Sequence, residues 1–187
     1  MDSSPLVPPP VPVPASPASA RPGPRVFINY RTSDEPFGAA LIDTALCERF
    51  GCDTVFFAPR SLAPGTCFSA GILDAVAGAS VVLVVIGPRW LQAVGRSGRP
   101  RLEDPGDWVR REIVEAFRHD VCVVPVLLNC ELPAEYQLPV PLARLSTLQY
   151  LRLHHRNTGA DLERLVRELG WIASPSPDHP LFKSEIS

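Results

Sequence analysis

Two unbroken apolar runs, "SVVLVVIGP" (80–88) and "VCVVPVLLN" (121–129), constrain this chain more than any other feature. A strand with one wet face alternates apolar and polar residues, whereas runs of Val, Ile and Leu without alternation belong to strands covered on both sides. Such cover implies parallel strands joined by helical crossovers. "RVFINY" (25–30), "DTVFFA" (53–58) and "LSTLQYLRL" (145–153) read as three further strands. A first helix is expected over 35–51, with Phe37, Leu41, Ala45 and Leu46 at helical spacing and a stop at Gly51. Others are expected over 67–79, after the turn "APGT" with Thr66 as N-cap, over 106–120 and over 159–170. The expected architecture is α/β: a flavodoxin-like, five-stranded parallel sheet, doubly wound.

The ends differ in character from the middle. Residues 1–24 are dominated by Pro, Ala and Ser and carry no periodic apolar face, so they cannot offset their ordering entropy and read as a disordered, Pro-rich arm. Residues 171–187 read as a C-terminal tail, which leaves 25–170 as one domain. Eighteen basic residues against 20 acidic give a net charge of -2, too balanced to expect a nucleic-acid or anionic-membrane partner. The longest apolar run, Val81 to Ile86, is far shorter than the roughly 20 residues of a spanning helix. Five cysteines without C-x-x-C spacing read as reduced, buried thiols of a cytoplasmic protein.

Open sheets of this kind bind ligands at the carboxyl ends of their strands. No G-x-G-x-x-G follows the first strand, and neither a P-loop, a G-x-S-x-G elbow nor a His/Cys group with metal spacing occurs. No metal or resident cofactor is therefore expected. Three segments remain. "NYRTSDE" brings Asn29, Arg31 and Ser33 to the end of the first strand. "APRSLAPGTCF" is a loop with Pro64 and Gly65 that opens a helix, whose free N–H groups suit phosphate oxygens. The third is the helix "DWVRREIVEAF" (107–117). On its wheel Val109, Ile113, Ala116 and Phe117 form the core face, while Trp108 and Glu112 lie about 40° apart at its edge. An indole beside a carboxylate suits a flat cationic ring. Read as ordinary helix residues, Trp108 covers the edge of the core and Glu112 pairs with Arg110 or Arg111.

These segments resemble the Toll/interleukin-1 receptor (TIR) domain family, especially its bacterial members, over about residues 25 to 170. "VFINYRTSDE" is similar to the first box of that family, "VFFAPRSLAPGTCF" to its BB loop, and "DWVRREI" to the W-x-x-x-E segment of the members that cleave NAD⁺. The resemblance implies a TIR fold and an NAD⁺ glycohydrolase, a bacterial immune effector that depletes NAD⁺ when switched on by self-association. It implies Glu112 as the catalytic residue, Trp108 at the nicotinamide end, and Tyr30, Arg31, Arg60 and Gly65 as substrate-binding residues. Homo-oligomers would form through the BB loop, Arg60 to Gly65, and a separate sensor protein, or recruitment through the Pro-rich arm, would supply the trigger. Asn29, Thr32 and Ala58 depart from the family pattern. The other class implied by the same resemblance is a scaffold TIR domain that acts by assembly alone.

One carboxylate suffices for the implied chemistry. Breaking the ribosyl bond of NAD⁺ discharges the ring cation, so nicotinamide leaves neutral and needs no general acid, unlike the leaving oxygen of an ordinary glycoside. An anionic Glu112 would stabilise the oxocarbenium-like ribose and hold its hydroxyls.

Overall fold

The computed structural model describes residues 24–61 and 68–173. Pro64, Gly65 and Thr66, together with both ends of the chain, lie outside the described residues. In chain order the elements are β1 (Val26–Asn29), α1 (Pro36–Phe50), β2 (Val55–Phe56), α2 (Ala58–Ser61), α3 (Phe68–Ala77), β3 (Val81–Ile86), α4 (Trp108–Arg118), β4 (Cys122–Leu128), β5 (Leu151–Leu153) and α5 (Thr158–Ala173). The strands form one parallel sheet in the order β2-β1-β3-β4-β5, the doubly wound arrangement expected from the two apolar runs.

Strands β1 to β4 feed two cores, and β5 feeds one of them through Leu151 and Leu153. On one face Phe27, Val82, Val84 and Leu127 pack against Ile72 of α3 and Ile113 of α4. On the other Val26, Ile28, Leu83 and Val85 pack against Ile42 of α1 and Leu165 of α5. Residues two apart share a face, so every second residue of β1 is directed toward α4.

Several elements depart from expectation. In α1 the buried stripe is Ala39, Ile42, Asp43 and Leu46, which leaves Phe37 87% exposed and Leu41 exposed as well. The anticipated strand 145–153 keeps only Leu151–Leu153, because Val140–Thr147 winds into a 3-10 helix. Pro139 and Pro141 precede and open that helix and have no N–H to give a ladder. β2 is shorter still, with a 3-10 turn at Cys52–Thr54 before it.

The cysteines also differ from five reduced, buried thiols. Gly51 stops α1 with φ +89°, where a side chain is strained, and its N–H returns to the Cys47 carbonyl at 2.9 Å. That turn brings Cys52 back beside Cys47, and the two are joined as a disulfide with Cα atoms 4.3 Å apart. Cys122 is exposed and Cys130 half-buried, and Cys67 lies outside the described residues. Among the described residues no helix is long and apolar enough to cross a membrane, and no group of His, Cys, Asp and Glu could hold a metal.

Candidate functional site

The site is built where β1 ends against α4. Asp107 caps the helix, accepting the N–H of Arg110 at 3.1 Å. Its carboxylate also receives both terminal nitrogens of Arg31, each at 2.9 Å, and Nε of Arg101 at 3.3 Å. Arg31 is 4% exposed and Asp107 5%, so this is a buried bidentate pair that fixes the start of α4 to the residue just past β1.

One turn into α4, Glu112 is 9% exposed, deeper than the rim position its helical wheel suggests. Asn29, the last residue of β1 and fully buried, donates from Nδ2 to Oε2 of Glu112 at 2.6 Å and to the Val109 carbonyl at 3.1 Å. Among the described residues Glu112 is in no ion pair. Burial raises its carboxyl from the ordinary 4.5 to about 8; the Asn29 hydrogen bond pulls it down, Asp107 pushes it up, and Arg111 and Arg31 pull it down. Arg110 is spent on the carbonyls of Leu102 and Glu103, and the Arg111 guanidinium lies 4.1 Å from the centre of the half-buried Trp108 ring. Neither pairs with Glu112.

Asp34 provides a second tie. Its buried carboxylate accepts the N–H groups of Gly87 and Arg89, both at 2.8 Å, which joins the loop after β1 to the loop after β3.

A profile of the TIR domain family matches residues 26–166. The chain belongs to the TIR domain family. Its fold is similar to a metazoan TIR-STING receptor from C. gigas solved in complex with 2',3'-cGAMP, at 28% identity and a TM-score of 0.53 over 81% of this chain. That alignment spans 41% of the receptor's length. The TIR domains of the activated Roq1 resistosome, which directly recognises the pathogen effector XopQ, match at 14% identity and a TM-score of 0.56, over 79% of this chain and 99% of theirs. The TIR domain of the Toll-related receptor TRR-2 from Hydra magnipapillata matches at 19% identity and 0.52, over 78% and 98%. The last two likenesses establish the fold alone.

Within this TIR domain the anticipated site residues separate into groups. Glu112, Trp108 and Arg31 gather at the β1–α4 junction, yet the fork of Arg31 is committed to Asp107 and is not free to hold substrate. Tyr30 packs beside Phe57, ring centres 5.2 Å apart, on the sheet face opposite α4. Arg60 does not join Glu112: its guanidinium binds the Asp43 carboxylate at 2.6 Å and the carbonyls of Val55 and Cys52, so it reaches back toward the amino end of β2. Gly65 lies outside the described residues, as does most of the loop anticipated to mediate assembly. Glu115, the next acidic residue of α4, pairs with Arg118 and His119. Cavities of about 360, 330 and 290 Å³ open elsewhere, and Glu112 lines none of these three. Sequence reasoning missed the parts played by Asp107 and Asp34; it placed Asn29 among the polar residues at the end of the first strand and as a departure from the family pattern, without linking it to Glu112.

Proposed function

We propose that this TIR domain is an NAD⁺ glycohydrolase in which Glu112 is the catalytic carboxylate. The observation that supports this most is the state of Glu112: a buried carboxyl one helical turn from an indole, held by one amide and unpaired with any cation among the described residues. A glutamate retained for stability at such a place would be expected to carry an ion pair or to be replaced by an apolar residue. An unpaired carboxyl instead leaves its charge for a cationic ligand. The pyridinium ring of NAD⁺ is such a cation, and its arrival favours ionisation of Glu112. The bond from the ribose C1′ to the ring nitrogen then breaks with its electron pair passing to that nitrogen, and nicotinamide departs neutral. Glu112 faces the ribose cation, water adds to C1′ and loses a proton, and ADP-ribose is formed; capture by an adenine nitrogen would give a cyclic isomer instead.

The biological setting that fits is depletion of NAD⁺ in the cytoplasm on self-association through Arg60 to Gly65, with a sensor protein as trigger. A non-catalytic assembly module is the second reading. It is favoured by Phe37 and Leu41, exposed one turn apart on α1. The deciding experiment is nicotinamide release from NAD⁺ by the purified chain over a wide range of protein concentrations, with Glu112→Gln as control. Loss of release in the variant, and activity rising more steeply than linearly with concentration, support the enzyme; equal release by both proteins removes it.

A further inference from the structure

We propose that Asn29 is the positioning residue of Glu112: pinned by the Val109 carbonyl, its amide presents N–H to the carboxyl and so sets both the orientation and the charge state of that group. This rests on the reading of Glu112 as the catalytic carboxylate.

Phe27 and Asn29 face α4 together, and Phe27 is ordinary core. A fully buried amide at the next core position calls for a reason. Val109 supplies the geometry. A backbone carbonyl can only accept, so the nitrogen end of the Asn29 amide has to face α4. With that end fixed, the second N–H meets Oε2 of Glu112 at 2.6 Å, the one side-chain hydrogen bond that Glu112 makes among the described residues. The cost is visible at the other end, where Oδ1 of Asn29 is buried without a partner. A side chain selected for packing alone would not leave that atom orphaned.

Among the described residues no other side chain facing Glu112 donates a hydrogen bond to it. From α4 come Asp107, of like charge, and Arg111, which lies over Trp108. From the residues after β1 comes Arg31, whose fork is spent on Asp107. Asn29 is therefore the donor that counters burial and favours the carboxylate over the acid.

The test is titration of Glu112 by ¹³C NMR in the full chain labelled at glutamate Cδ, its resonance assigned from the spectrum of Glu112→Gln. Asn29→Ala removes the donor; Asn29→Leu removes it while keeping the branched side-chain outline, filling the space and eliminating the orphaned oxygen, so it should fold where Ala does not. Both should raise the Glu112 midpoint by about one to two pH units, the worth of a hydrogen bond to a charged group. The acid limb of kcat/KM for NAD⁺ should move up with it. An unchanged midpoint in a folded variant overturns the proposal. The titration does not depend on turnover, so failure of the catalytic reading, seen as undiminished nicotinamide release by Glu112→Gln, is distinguished from failure of this one.

Discussion

Arg31 grips Asp107 with two parallel hydrogen bonds of 2.9 Å, across 76 residues of sequence. Asp107 is also the N-cap of α4, so a single carboxylate both starts the helix and ties it to the end of β1. The position of Glu112 depends on that tie, since Glu112 sits little more than one turn further along.

Removing one partner of a buried pair strands the other charge. Asp107→Ala should therefore cost about 3–5 kcal/mol of stability, to which loss of the helix cap adds about 1 kcal/mol. Arg31→Leu with Asp107→Leu should recover much of the loss, because no lone charge stays buried. Urea unfolding of the three proteins checks this, and a cost below 1 kcal/mol for Asp107→Ala would show that the pair does not hold α4.

Gly87 tests the second tie. A Cβ there would stand 2.8 Å from both carboxylate oxygens of Asp34 and collide with the Glu35 side chain. Asp34 would have to release the N–H groups of Gly87 and Arg89. Gly87→Ala should destabilise by about 1–3 kcal/mol, in the range of core overpacking. A melting temperature equal to that of the parent chain would mean that the loops after β1 and β3 adjust freely.

Much of this was legible in the residues. Two-sided burial writes itself as a continuous apolar run, so β3 and β4 declared both themselves and the parallel sheet. Alternation along β1 carries a further signal: a period of two puts Tyr30 on the face opposite Asn29 and Arg31, which separates it from α4. The Asn29–Glu112 bond spans 83 residues, and a polar residue at a strand end reads as the onset of a loop. Arg31 read as a ligand fork because sequence shows its charge and not its burial. β5 is shorter than its β-forming residues at 145–150 suggest, because they follow two prolines that commit the chain to a 3-10 helix.

The Cys47–Cys52 link has a direct chemical check. Denatured without reductant and alkylated, the chain should leave both residues unmodified, and after reduction both should take the label. Tryptic mapping reads each site separately. Full labelling of Cys47 and Cys52 before reduction, in protein prepared under non-reducing conditions, would restore the expectation of free thiols.

Glu112 should make stability depend on pH in a defined direction. Its value in the fold, about 8, lies above the ordinary 4.5. Below about pH 4.5 the group is neutral in folded and unfolded chains alike, and its burial carries no ionic penalty. Between the two values the unfolded chain sheds the proton while the fold retains it, so stability falls with rising pH at up to roughly 1.4 kcal/mol per unit and levels off above 8. Glu112→Gln has no such proton. Its stability relative to the parent should therefore grow by on the order of 2–4 kcal/mol between pH 5 and pH 8. Urea unfolding at intervals across that range measures it, and a difference that stays constant would mean that Glu112 ionises as an exposed carboxylate does.

The same group predicts how turnover responds to pH. The profile of kcat/KM reports the free protein, and that of kcat reports the complex. In the free protein the carboxyl titrates near 8, so kcat/KM for NAD⁺ should decline as pH falls through that value. Once the pyridinium is bound, a positive charge beside the carboxyl lowers its pKa by about 1–3 units, and the acid limb of kcat should lie lower by that amount. The gap between the two limbs measures how strongly the substrate cation and the carboxylate feel each other. Coincident limbs would mean that the ring does not approach Glu112, and the carboxylate would then have to act on the ribose alone.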